Sequence, residues 1–185
     1  ASDAWLASWL DDDNDTESRT KLVRQVWEKT AEADQLLFGA SELIRKADQS
    51  VKPRKIAAFS NRGLSGIDGT ISTGLGLSQN GKQTRVLLGD LTFLHDAGSL
   101  NKSGFGDLDI QLVVGNDHGG QIFKNLEMAQ TLEETLFAKL FLTPQEASLE
   151  HLAKAYGWKY FRAESEGELE KLLDQKGFVV IEYSL

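Results

Sequence analysis

The sequence predicts an α/β fold: a three-layer architecture in which a parallel sheet is covered by helices on both faces. Three observations carry that prediction. Short apolar runs of β type alternate with segments of helical periodicity along most of the chain. The connections between them are short. The last run, Phe178 to Ile181, is apolar without alternation, as expected of a strand buried on both sides.

Taken in order, Trp5, Leu6, Trp9 and Leu10 form an apolar helical stripe, followed by the acidic run Asp11 to Asp15. Leu22, Val23, Val26 and Trp27 form a second stripe at i, i+1, i+4, i+5 and predict an amphipathic helix. Two tryptophans on so short a helix need a surface to cover, either on a preceding domain or on this one. Residues 1–35 read as an N-terminal helical segment and residues 36–185 as the α/β domain. Within it, Leu36 to Phe38 predicts a buried strand, and Ser41 stands where it could cap a helix through Leu43 and Ile44. Lys55 to Phe59 is a second strand, with a Gly-rich helical stretch from Gly66. Arg85 to Leu88 is a third, ending in Gly89-Asp90, and Asp109 to Val114 a fourth, ending in Gly115-Asn116-Asp117. Thr143-Pro144-Gln145-Glu146 has the form of a helix start with its stop at Gly157, and Ser165 with Glu168 repeats the capping-box pattern.

A chain of 185 residues accommodates one domain with a short appendage. Its net charge of −8 and pI near 4.9 argue against nucleic acid and anionic membranes as partners. Small anionic substrates would need a local cluster of Arg or Lys. With no cysteine, disulfides, cysteine metal sites and a cysteine nucleophile are excluded, which is compatible with a cytoplasmic setting. No apolar run approaches the ~18–20 residues of a membrane span. The start lacks the basic region of a signal peptide, and the missing initiator Met leads us to expect a longer parent chain.

In open α/β sheets, ligands bind beyond the carboxyl ends of the strands. Three strand ends carry unusual residues: NRGLSGIDG (61–69), GDLT (89–92) and GNDHGGQIF (115–123). In GDLT, Gly89 lets a ligand approach the backbone and the following helix offers N–H groups to a phosphate. Asp90 would repel that phosphate unless a divalent cation lay between them; alternatively it caps the helix that begins near Thr92. Asn116, Asp117 and His118, followed by Gly119-Gly120, form a loop rich in side-chain and main-chain oxygens. Asp90, Asp117, a loop carbonyl, two phosphate oxygens and a water would complete an octahedral Mg²⁺ set. Since Mg²⁺ prefers oxygen, His118 reads as a loop residue rather than a ligand.

Together these segments resemble the motif of thiamine-diphosphate enzymes, a strand-end Gly-Asp-Gly followed after about 25 to 30 residues by an Asn-Asn element. Asp90 and Asp117 lie 117 − 90 = 27 positions apart. Leu91 replaces the last Gly, and Asp117 stands where the second Asn is usual. The first departure, with NRGLSGIDGTISTGLG (61–76), GDLTFLHD (89–96) and NDHGGQIF (116–123), is similar to the menaquinone-pathway synthases of the MenD family. Weaker similarity extends from LLFGAS (36–41) to LEHLAKAYGW (149–158).

The resemblance implies a thiamine-diphosphate-binding fold and a set of roles. Asp90, Asp117 and the carbonyl of Gly119 would hold Mg²⁺ or Mn²⁺. Gly89, Leu91 and Thr92 would meet the diphosphate, and Ser65, Gly66 and Ile67 the cofactor rings, with Ile67 as the wedge that bends them; Gly120 and Ile122 would also touch the cofactor. Ser41, Arg45 and Arg62 would hold substrate carboxylates, beside an apolar wall of Ile122, Phe123 and Leu126. The Glu that protonates the cofactor would come from a pyrimidine-binding domain of a second subunit, in a homodimer or homotetramer. The family's reaction decarboxylates 2-oxoglutarate and adds the product to isochorismate. Two other readings remain at this level: another thiamine-diphosphate decarboxylase or acetohydroxyacid-synthase-like enzyme, or a non-catalytic assembly module in which Asp90 and Asp117 only cap helices.

Overall fold

Six strands form one sheet in the computed structural model, which describes residues 17–185 apart from positions 62, 64 and 65. They are β1 (Gln35–Phe38), β2 (Ala57–Ser60), β3 (Thr84–Gly89), β4 (Ile110–Asn116), β5 (Lys159–Ala163) and β6 (Phe178–Ser184). Every pairing is parallel, in the order β2-β1-β3-β4-β6-β5. The tryptophan stripe at positions 5 to 10, Arg62 and Ser65 lie outside the described residues.

The period-2 geometry of a strand sorts neighbouring side chains to opposite faces, and each face is closed by its own core. Leu36, Phe38, Leu87 and Val113 point to one side, where α1 (Ser18–Lys29), α2 (Glu42–Ser50) and α8 (Glu166–Leu172) supply Leu22, Val26, Leu43 and Leu169. Leu37, Val86, Leu88 and Val114 point to the other, against Ile71 and Leu75 of α3 (Thr70–Ser78), Phe93 of α4 (Asp90–His95) and Leu149 of α7 (Leu149–Ala155). The short helices α5 (Met128–Thr131) and α6 (Glu134–Phe137) lie between β4 and α7. Leu22, Val23 and Val26 are fully buried, so α1 packs into the same core as residue 36 onward, and position 35 is not a boundary of packing.

Two local expectations are corrected, and one strand is added. The helix foreseen at Thr143-Pro144 begins instead at Leu149, where Ser148 accepts from the His151 amide at 3.2 Å. Thr143 adopts a left-handed conformation (φ 42°) that ends a π turn over Ala138–Leu142. Strand β2 starts two residues later than Lys55: the Ile56 amide turns back to the Arg54 carbonyl at 3.1 Å, while the Arg54 side chain caps α1 through the carbonyls of Trp27 and Glu28. An edge strand, β5, also appears where no strand pattern is visible in KYFRA.

The strand order places the site. From β1 the chain crosses to β2 on one side, then returns to β3 on the other side of β1. The carboxyl ends of β1 and β3 thus diverge into loops at a topological switch point, where open α/β sheets hold ligands. Behind it, α3 comes close enough to the sheet that a Cβ on Gly74 would lie 2.5 Å from Val86 Cγ2. Gly74→Ala should therefore destabilise the chain by a net ~1–2 kcal/mol, since overpacking outweighs the ~1 kcal/mol that Ala gains in helix propensity. Urea unfolding measures this, and a stabilised variant would show that α3 can retreat from the sheet.

Candidate cofactor and metal site

A cleft of about 140 Å³ opens at the carboxyl ends of β1, β3 and β4. Ala40 and Ser41 enter it from β1, Gly89, Asp90, Leu91 and Thr92 from β3, and Asp117, Gly119, Gly120, Ile122 and Phe123 from the loop after β4. Ile67 closes one side. Gly66, Arg45 and Leu126 are not in its lining. Arg45 is an exposed residue of α2 whose Nη1 donates to the Ser41 carbonyl at 2.5 Å. Leu126 is 37% exposed and follows the 3₁₀ turn Gln121–Asn125. Ser41 does not use its hydroxyl as a helix cap, and it holds a φ of 105° that side-chain-bearing residues rarely adopt.

Asp90 is only 2% exposed. It is not the cap of α4, since that position belongs to Gly89, and it sits in the helix's first turn. Its Oδ2 accepts from Gln145 Nε2 at 3.0 Å. Burial pushes its carboxyl pKa up; the Gln145 bond opposes that, the Asp117 charge adds to it, and the backbone amides of Leu91 and Gly119 oppose it again. A carboxylate kept out of water with few strong donors is short of positive charge.

Asp117 is aimed by its neighbours. Asn116 faces away from the cleft: its Oδ1 accepts from the His118 amide at 3.0 Å and its Nδ2 donates to Glu182 Oε1 at 2.8 Å. The second oxygen of Glu182 accepts from the Tyr160 hydroxyl at 2.7 Å, and burial together with that carboxylate raises the Tyr160 pKa. The chain Tyr160–Glu182–Asn116–His118 thus anchors the loop from the far edge of the sheet. His118 (φ 57°) makes the turn rather than entering the cleft lining, as its sequence context implies. The glycines that follow are required by close packing. A Cβ on Gly119 would lie 2.4 Å from the Leu142 carbonyl oxygen, and one on Gly120 2.8 Å from that of Phe141.

Sequence reasoning missed three residues here. Gln145 falls in the expected helix, yet it reaches Asp90 from an irregular segment ahead of α7. Gln121 donates to the Asp117 carbonyl at 3.1 Å, while its Oε1 is buried without a partner among the described residues. Arg19 of α1 donates from Nη2 to Asp117 Oδ2 at 2.5 Å and lies 3.2 Å from Glu17 and 3.4 Å from Glu42. Burial lowers the Arg19 pKa, but the bond to Asp117 and the charges of Glu42 and Asp117 outweigh it and leave it raised. Only the GGQIF context marks Gln121; nothing in the sequence ties Arg19 to a partner 98 positions away.

No cluster of three or more acidic or histidine side chains that could hold a metal is present among the described residues. The donors available are two carboxylates, loop carbonyls and the unpaired Gln121 oxygen. That hard-oxygen set suits Mg²⁺ or Mn²⁺ sharing a phosphate, and does not suit a metal caged by protein alone. No described helix is long and apolar enough to cross a membrane.

The model of the thiamine pyrophosphate enzyme C-terminal TPP binding domain matches residues 39–183. The chain is 49% identical over 167 residues to a 2-succinyl-5-enolpyruvyl-6-hydroxy-3-cyclohexene-1-carboxylate synthase of Clavibacter michiganensis, covering 84% of the chain and 28% of that protein. It is 41% identical to the synthase of the same name from Leifsonia xyli (84% and 28%) and 39% identical to that of Renibacterium salmoninarum (93% and 34%). The chain therefore spans about a third or less of the length of these relatives.

The buried carboxylate sets a pH signature. Because the fold raises the Asp90 pKa, the native chain keeps this proton to higher pH than the unfolded chain. Asp90 thus favours folding below the ordinary carboxylate range, and the contribution is lost as pH rises through its native pKa. In metal-free buffer, Asp90→Asn should raise the melting temperature more at pH 7 than at pH 4; an equal effect at both would contradict a raised carboxyl.

Proposed function

Since the chain belongs to the thiamine pyrophosphate enzymes, as their C-terminal TPP binding domain, we propose that it is the diphosphate-holding part of a MenD-type 2-succinyl-5-enolpyruvyl-6-hydroxy-3-cyclohexene-1-carboxylate synthase. The whole protein would decarboxylate 2-oxoglutarate and add the product to isochorismate in menaquinone biosynthesis, in the cytoplasm. The observation that carries this reading is the convergence of buried Asp90, Asp117 and the Gly89–Thr92 segment on one cleft at the switch point. The names of the similar synthases support the substrate assignment.

In this reading Asp90, Asp117 and the Gly119 carbonyl would hold Mg²⁺ or Mn²⁺, whose positive charge would offset the buried carboxylate of Asp90. Backbone groups at Gly89, Leu91 and Thr92 receive the diphosphate, with Gly120 completing the loop beneath it. Ile67 would lie against the cofactor, and Ile122 and Phe123 would keep water from the reacting end. When bound, thiamine diphosphate supplies the electron sink for decarboxylation. Ser41, Arg62 and Arg45 serve the carboxylates of the substrates, where an arginine fork is the complementary shape. Arg45 would have to leave the Ser41 carbonyl to do so, which an exposed side chain can. The activating Glu would come from a pyrimidine-binding domain in a second subunit, giving a homodimer or homotetramer.

Two outcomes are expected. The chain alone, with thiamine diphosphate, Mg²⁺, 2-oxoglutarate and isochorismate, should give no turnover, and turnover without a partner would overturn the division of the site. In the full-length synthase, Arg62→Ala should raise KM for 2-oxoglutarate roughly tenfold by loss of a charged hydrogen-bond pair. An unchanged KM would favour a thiamine-diphosphate enzyme acting on a small uncharged substrate.

A further inference from the structure

Arg19 holds a place that the proposed function gives to a metal. Its guanidinium donates to Asp117 Oδ2 at 2.5 Å and lines the cleft beside Asp90. It arrives from α1, outside the strand-end loops that supply every other charged group of the cleft except Glu42. The contact answers an electrostatic need. Asp90, Asp117, Glu42 and Glu17 crowd this end of the sheet, and Arg19 is shared between three of them. Among the described residues Lys46 serves the same acidic cluster only through Glu17. An arginine and a divalent cation compete for Asp117, because their charges repel at close range and the guanidinium occupies Oδ2, one of the two oxygens the metal could take.

We propose that Arg19 is a built-in counter-cation that occupies the Asp117 position of the metal site in the empty protein and is displaced when the divalent metal enters. The inference rests on the metal reading of the site given above. Glu42 and Glu17 make the exchange possible: once released, the guanidinium keeps two carboxylates within ion-pair distance and is not stranded half-buried. Metal loading is thereby coupled to the first turn of α1, whose Leu22, Val23 and Val26 are locked in the core. The motion required is a side-chain swing, with the helix held in place. Arg19 sets how tightly the metal is held, and it protects the empty site from the mutual repulsion of its acids.

The test is Mn²⁺ binding to the full chain, followed by the paramagnetic resonance signal of free Mn²⁺, with and without thiamine diphosphate. Melting temperature in metal-free buffer is recorded alongside. Arg19→Gln should bind Mn²⁺ roughly threefold to tenfold more tightly than wild type, the range expected for removing an ion pair of intermediate exposure. The same substitution should lower the metal-free melting temperature. Lys46→Gln removes an equal charge from the same cluster without touching Asp117, and should change Mn²⁺ affinity much less. Equal tightening by Lys46→Gln would overturn the proposal in favour of a general field effect. Unchanged or weaker Mn²⁺ binding by Arg19→Gln would also overturn it and assign Arg19 a supporting role. Failure of wild type and both variants to bind Mn²⁺, even with thiamine diphosphate, would remove the metal reading itself and this proposal with it. Wild-type binding without the Arg19 effect would remove the proposal alone.

Discussion

Burying the carboxylate of Asp90 at the end of a central strand is the constraint around which this end of the molecule is organised. A charge almost wholly withdrawn from water is tolerated only where donors or counter-charges are brought to it. The neighbouring structure does that from several directions. The irregular segment 143–148 leaves the helical path its sequence invites and delivers Gln145 to Asp90. Gly119 and Gly120 allow the loop after β4 to fold tightly under the carbonyls of Phe141 and Leu142. The opposing charge of Asp117 is met by Arg19. A phosphate-bound divalent cation is the group that would satisfy both carboxylates at once.

The sheet explains why this charge lies where it does. Parallel pairing aligns the carboxyl ends of β1, β3 and β4, and the reversal of direction between β1 and β3 opens a crevice that no crossover helix fills. The two cores on either side fix those strand ends firmly, so the functional loops are mounted on a rigid edge. Glu182 extends that support across the sheet. Through Asn116 on one side and Tyr160 on the other, it ties the Asp117 loop to the outermost strand.

Much of this could be read in the sequence where local chemistry and tertiary structure agree. Asp90 follows the strand-end Gly89 and Asp117 the strand-end pair Gly115-Asn116, and the apolar run 178–181 announces a doubly covered strand, which β6 is. The capping pattern at Ser165 also matches its helix, with Ser165 accepting from the Glu168 amide. What was hidden depends on long-range partners. Thr143-Pro144 has the composition of a helix start, but Leu142 is engaged by Gly120 and the chain must pass over the glycine loop before a helix can begin. Strand β5 borrows its conformation from β6 and has no alternation of its own to reveal it. Arg19 meets Asp117 only because α1 packs across α2 and the sheet.

The central claim is that the two carboxylates and the strand-end backbone form a metal-dependent diphosphate site. Calorimetric titration of the chain with thiamine diphosphate in Mg²⁺, repeated in chelator and with Asp90→Ala, tests it most directly. The account predicts a binding isotherm in Mg²⁺ that disappears in chelator and in the variant. Binding of equal strength in all three would contradict it.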